Sequence, residues 1–93
     1  MFFPITSCLL VGVSYYKEMV KDLSVGDILE MSFDKNNTYD PNAIVVKKDD
    51  KICGYVPRDV QAKMSKYVPS KVEVIDKHYI QDGIYSLRID LSQ

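Results

Sequence analysis

Ninety-three residues with 12 basic and 13 acidic side chains, a net charge of −1 and a pI near 5.7 describe one domain, 1–93, with one modest core. The apolar share, 46 %, and the charged share, 27 %, are ordinary for a soluble globular protein. The charge excludes a protein that coats nucleic acid by electrostatics alone, a class with pI above about 9, so any nucleic-acid contact must come from a shaped pocket.

The segment Met1 to Val13 is apolar but lacks a basic n-region and a small-residue cleavage site, and it carries Pro4, Thr6 and Ser7. It is too short to span a bilayer, so it reads as the start of a strand in a cytoplasmic protein without membrane contact. Ile5 to Tyr16, rich in β-branched and aromatic residues, is the predicted first strand. Lys17 to Leu23, in which Met19, Val20 and Leu23 recur, is one helical turn or a loop. Val25-Gly26-Asp27 is a turn. Ile28 to Phe33 alternates, with Leu29, Met31 and Phe33 on one face.

Asp34 to Asn42 holds three Asn, two Asp and a Pro, which is loop chemistry. The glycosylation sequon Asn36-Asn37-Thr38 within it means only an exposed loop. Ala43 to Val46 is an apolar strand, Lys47 to Lys51 a charged hairpin turn, and Ile52 to Val56 its return. The period then changes. Val60, Met64, Tyr67 and Val68 mark the apolar face of a short helix that opens at Pro57 and ends at Pro69. Lys71 to Ile80 alternates, Asp82-Gly83 is a hairpin dipeptide, and Ile84 to Leu91 closes the sheet. The expected fold is mainly β: a small OB-like or SH3-like barrel of about six strands, with one short helix after the fourth.

Catalytic chemistry finds no foothold. The glycines, at 12, 26, 54 and 83, are scattered, so there is no phosphate loop. Cys8, Cys53 and His78 do not provide the paired spacing of a zinc site, and the cysteines read as reduced core residues. No cofactor or metal is expected. His78 is a strand residue without a triad, and Asp49-Asp50 is a solvated tip.

The aromatic set is biased: seven tyrosines and no tryptophan. Base–aromatic stacking contributes about 1–3 kcal/mol per base. Tyr15, Tyr16, Tyr39 and Tyr55 flank strand ends or loops, where barrels place their sites. A plainer reading stands beside this one. Tyrosine is a common strand residue, so at least one of Tyr15 and Tyr16 belongs to the scaffold unless the strand bends. Asp40-Pro41-Asn42 is also a turn that caps itself. Arg58 opposes the dipole at a helix start, which suggests an anionic partner.

Four pieces together resemble the HIRAN domain: Val11-Gly12-Val13-Ser14-Tyr15-Tyr16, Gly26-Asp27-Ile28-Leu29, Asn37-Thr38-Tyr39-Asp40-Pro41-Asn42-Ala43-Ile44-Val45-Val46, and Gly54-Tyr55-Val56-Pro57-Arg58. The resemblance runs from about Leu9 to Val68. It implies an OB-like or SH3-like barrel and a pocket for the free 3′-hydroxyl end of single-stranded DNA. It further implies that Tyr15 and Tyr16 stack on or flank the terminal bases and that Tyr39 lines the pocket. Asp40 would accept from the 3′-hydroxyl, Asn37 would fix the loop or a base edge, and Arg58 would contact a phosphate. Tyr55 stands where helicase members carry another polar ring. Ser14 replaces a basic residue of the DNA-binding helicase members.

The expected function is a non-enzymatic module for single-stranded nucleic acid, DNA before RNA, with a role in DNA repair and a helicase, ATPase, nuclease or other DNA-processing partner. The alternative is a small barrel that binds an extended peptide.

Overall fold

The computed structural model describes residues 6–92, so the strand reading of Met1 to Ile5 lies outside the described residues. The architecture grows from two hairpins. β2 (Ile28–Phe33) buries Leu29 and Met31 and turns Ile28 and Glu30 outward, as its alternation requires. It pairs antiparallel with β3 (Ile44–Lys48), which turns back into β4 (Lys51–Tyr55). That turn is only Asp49-Asp50, both at positive φ (51° and 66°). The lysines predicted as turn residues therefore belong to the strands. β5 (Ser70–Gln81) and β6 (Ile84–Asp90) form the second hairpin over Asp82-Gly83. Val72 and Val74 of β5 are buried. A register shift between Val74 and Asp76 then interrupts the alternation, and His78 and Ile80 lie exposed.

The first strand is shorter than predicted. β1 covers Ser7–Leu9 alone and pairs with β6. At Gly12 the backbone enters the left-handed region (φ 75°), which glycine adopts without steric cost, and the chain winds into a 3₁₀ turn, Val13–Tyr16. α1 (Lys17–Val20) follows directly and buries Val20. α2 (Arg58–Met64) follows β4 and passes into a second 3₁₀ turn, Ser65–Tyr67. The described chain thus has two short α-helices where one was predicted. Tyr67 is exposed because the helix tightens before it and the seventh position leaves the apolar face.

The strands form one sheet in the order β1-β6-β5-β2-β3-β4, curled into a half-barrel around Leu29, Met31, Ile44, Val74, Leu87 and Ile89. Its two edges meet through the segment after β1. Val11 and Tyr55 exchange backbone hydrogen bonds, each 2.9 Å. Gly54 makes this approach possible, since a Cβ there would lie 3.0 Å from the Val11 carbonyl oxygen and 3.2 Å from Leu10 Cβ.

Candidate nucleic-acid interface

The β2–β3 loop is held by its own polar side chains. Its neck closes where Asp34 N–H donates to the Ala43 carbonyl at 2.9 Å. Asn37 Oδ1 accepts from the N–H groups of Tyr39 and Asp40, both at 2.9 Å. Asp40 Oδ1 accepts from Asn42 N–H at 3.0 Å. These are the local bonds by which Asn and Asp stabilise turns. One bond ties the loop to the barrel: Tyr55 Oη donates to Asp34 Oδ2 at 2.6 Å. The Asp34 hydrogen bond, and after it burial, holds the Tyr55 phenol above its ordinary range.

Asp40 is the point where loop and helix meet. Gln61 Nε2 of α2 donates to Asp40 Oδ2 at 2.9 Å, and Arg58 Nε stands 3.7 Å from the same oxygen. The Gln61 bond first, then Asn42 N–H and the Arg58 charge, holds the carboxyl below its ordinary range. Gln61 is 8 % exposed, the one buried polar side chain among the described residues. Arg58 keeps 82 % of its side chain in solvent.

Two hollows open on either side of this group. One, about 280 Å³, is lined by Val11, Asn37, Tyr39, Asp40, Ala43, Tyr55, Val56, Arg58 and Gln61. The other, about 510 Å³, is lined by Phe33, Asp40, Asn42, Arg58, Gln61, Ala62 and Ser65. The fold therefore gathers five of the seven expected site residues, Asn37, Tyr39, Asp40, Tyr55 and Arg58, into the smaller hollow. Tyr39 stands at its mouth, 96 % exposed.

The tyrosine pair departs from expectation. Tyr15 and Tyr16 lie on the 3₁₀ turn and not at a strand end, because the chain has already bent at Gly12. Tyr15 is 86 % exposed and lines neither hollow. Tyr16 packs partly into the core, with its ring tilted 45° against Tyr55 at 6.4 Å. It reaches the hollow only through Tyr55. Asn37 is a loop brace whose amide oxygen is already occupied twice.

Sequence reasoning missed Gln61, Val11 and Phe33. Gln61 had a readable signal: it stands three residues after Arg58, on the same helix face. Val11 had none, since its place follows from barrel closure. Among the described residues no cluster of three or more His, Cys, Asp or Glu could hold a metal, and no helix is long and apolar enough to cross a membrane.

The profile of the HIRAN domain matches residues 6–91. The chain belongs to the HIRAN domain family. HIRAN domains are a DNA-binding family, and the domain is a binding module without catalysis of its own. The HIRAN match extends through β5 and β6, where the sequence motifs had stopped at Val68. A crystal structure of a protein from Lactobacillus plantarum is similar, with a TM-score of 0.60 over 92 % of this chain and 91 % of that one at 19 % identity. That likeness concerns the fold. No curated protein matches the chain.

Proposed function

We propose that this HIRAN domain captures the free 3′-hydroxyl end of a single DNA strand in the hollow between Tyr39 and Tyr55, and performs no chemistry on it. The observation that carries this reading is the Asp40 carboxylate: ionised, held by Gln61 and Asn42 N–H, and set in the wall of a tyrosine-lined hollow. A carboxylate so placed is an acceptor for a hydroxyl and repels a phosphate. Tyr39 supplies a stacking face, and Arg58 a guanidinium for a backbone phosphate. Tyr16 acts by supporting Tyr55, and Tyr15 carries an exposed ring on the same 3₁₀ turn. A charge-assisted hydrogen bond of this kind is worth about 1.5–3 kcal/mol, so a strand ending in a 3′-hydroxyl should bind roughly ten- to a hundredfold tighter than the same strand ending in a 3′-phosphate. Fluorescence anisotropy with both strands checks this, and Asp40→Ala should erase the difference. Equal affinity of the two ends for the wild-type protein overturns the reading.

A groove for an extended peptide is the rival. The acidic pI and the solvent-facing Tyr39 favour it. Recovery of one protein partner after nuclease treatment, with no binding of either oligonucleotide, would select it.

A further inference from the structure

We infer that the outer face of the sheet around Ile28, Glu73 and Ile75 is a docking surface for a protein partner, and that its occupant is an amphipathic helix bearing aliphatic and Lys or Arg side chains. Both helices of the domain turn their apolar residues, Val20 of α1 and Val60 and Met64 of α2, into the core inside the curl, which leaves the outer face bare. Along β2 and β5 alternation sends Ile28 and Glu73 outward, while Leu29, Val72 and Val74 are buried. Ile28 stands opposite Glu73, and Ile75 takes the diagonal place beside it. Ile28 is 51 % exposed and Ile75 39 %. Val25, 59 % exposed, lies in the turn that carries this pairing onward, where Gly26 N–H donates to the Val74 carbonyl at 2.7 Å. Three aliphatic side chains thus meet solvent at one place on the molecule.

Charge selects the occupant. Glu73 faces Asp90 of β6 directly across the strands, an arrangement of like charges that is destabilising by itself. Neither carboxylate has an ion-pair partner among the described residues. The Ser92 hydroxyl at 2.6 Å, and after it the Ser92 N–H at 2.9 Å, holds the Asp90 carboxyl below its ordinary range. The neighbouring cations are placed elsewhere. Arg88, two residues before Asp90, donates to Ser7 Oγ at 3.1 Å, and Lys71, two residues before Glu73, stands opposite Glu30. A lysine or arginine from outside would relieve the facing carboxylates while aliphatic neighbours on the same helix covered Ile28 and Ile75. A helix about 10 Å across spans β2, β5 and β6 at their spacing of about 4.8 Å. β2 runs from Ile28 in this patch to Phe33 at the β2–β3 loop, roughly 17 Å away at about 3.4 Å per residue. The surface is therefore independent of the proposed end pocket, and both can be occupied together.

The test titrates the isotope-labelled chain with a synthetic amphipathic helix of leucine and lysine and with its leucine–glutamate counterpart, following the amide resonances. The leucine–lysine helix should shift Ile28, Glu73 and Ile75, and the leucine–glutamate helix should leave them in place. The same shifts are expected with an oligonucleotide ending in a 3′-hydroxyl present. Ile28→Ser and Glu73→Lys should each weaken the leucine–lysine complex about fivefold or more, the scale of one aliphatic contact or one reversed charge. Glu73→Lys sets a lysine opposite Asp90, so it should also raise the urea midpoint of the free protein. The wild-type titrations need no variant and decide the matter even where one fails to fold. A response centred on the Asp40 hollow, or an equal response to both helices, overturns the inference. A dimer mass that Ile28→Ser abolishes, with no response to either helix, overturns it in favour of a second copy of the chain.

Discussion

Tyr55 shows how one side chain can be scaffold and site wall together. Its ring supports Tyr16, and its hydroxyl ties the β2–β3 loop to β4 through Asp34. Removing the hydroxyl in Tyr55→Phe should cost about 1 kcal/mol, the scale of one hydrogen bond net of solvent. Because the folded state holds the phenol protonated above its ordinary pKa of about 10, that contribution is complete below pH 10 and fades as pH rises further. Urea melts near pH 8 and near pH 10.5 should show the gap between wild type and Tyr55→Phe narrowing at the higher pH. Residue identities in the loop were legible because Asn37 and Asp40 carry their own turn chemistry. Gln61 was not. The helical period drew attention to Val60 and Met64, and the carboxylate that Gln61 holds lies 21 positions earlier in the chain.

At the scale of elements, strands with one inward face declared themselves through alternation: β2 and the first half of β5 follow the sequence pattern. Where packing of a distant segment decides the conformation, the pattern misleads. Residues 5–16 have strand composition, yet Gly12 and barrel closure divide the described part, from Thr6 on, into a three-residue strand, a bridge and a 3₁₀ turn. The β3–β4 turn was compressed for a different reason. Asp49 and Asp50 both accept left-handed backbone, so two residues reverse the chain where five were expected. Left-handed conformation costs a residue with a Cβ, and the second position of such a turn favours glycine. Asp50→Gly should therefore raise stability by about 0.5–1 kcal/mol, read as a shift in the urea midpoint at unchanged slope. A loss of stability would mean that the Asp50 side chain holds the turn itself.

For the whole molecule, the seam between Val11 and Tyr55 sets the shape of the site. Val11 and Tyr55 both line the smaller hollow, so opening the seam would widen the proposed pocket. Gly54→Ala puts a methyl against the Val11 carbonyl at 3.0 Å, where backbone has to give. Overpacking of this kind costs about 1–3 kcal/mol. The expected outcome is that loss in a thermal or urea melt, with faster amide exchange at Val11 and Tyr55 before exchange rises in the β5–β6 hairpin. Unchanged exchange at those two amides would show that the seam yields without breaking.

The pairing of the first strand with the last has a separate result. Leu91 N–H donates to the Thr6 carbonyl at 2.8 Å, so the polypeptide enters and leaves the sheet side by side. A module with adjacent entry and exit can be spliced into a surface loop of a host protein with little disturbance to either partner. The fold of this HIRAN domain is thus suited to being carried as an insert as well as a terminal appendage.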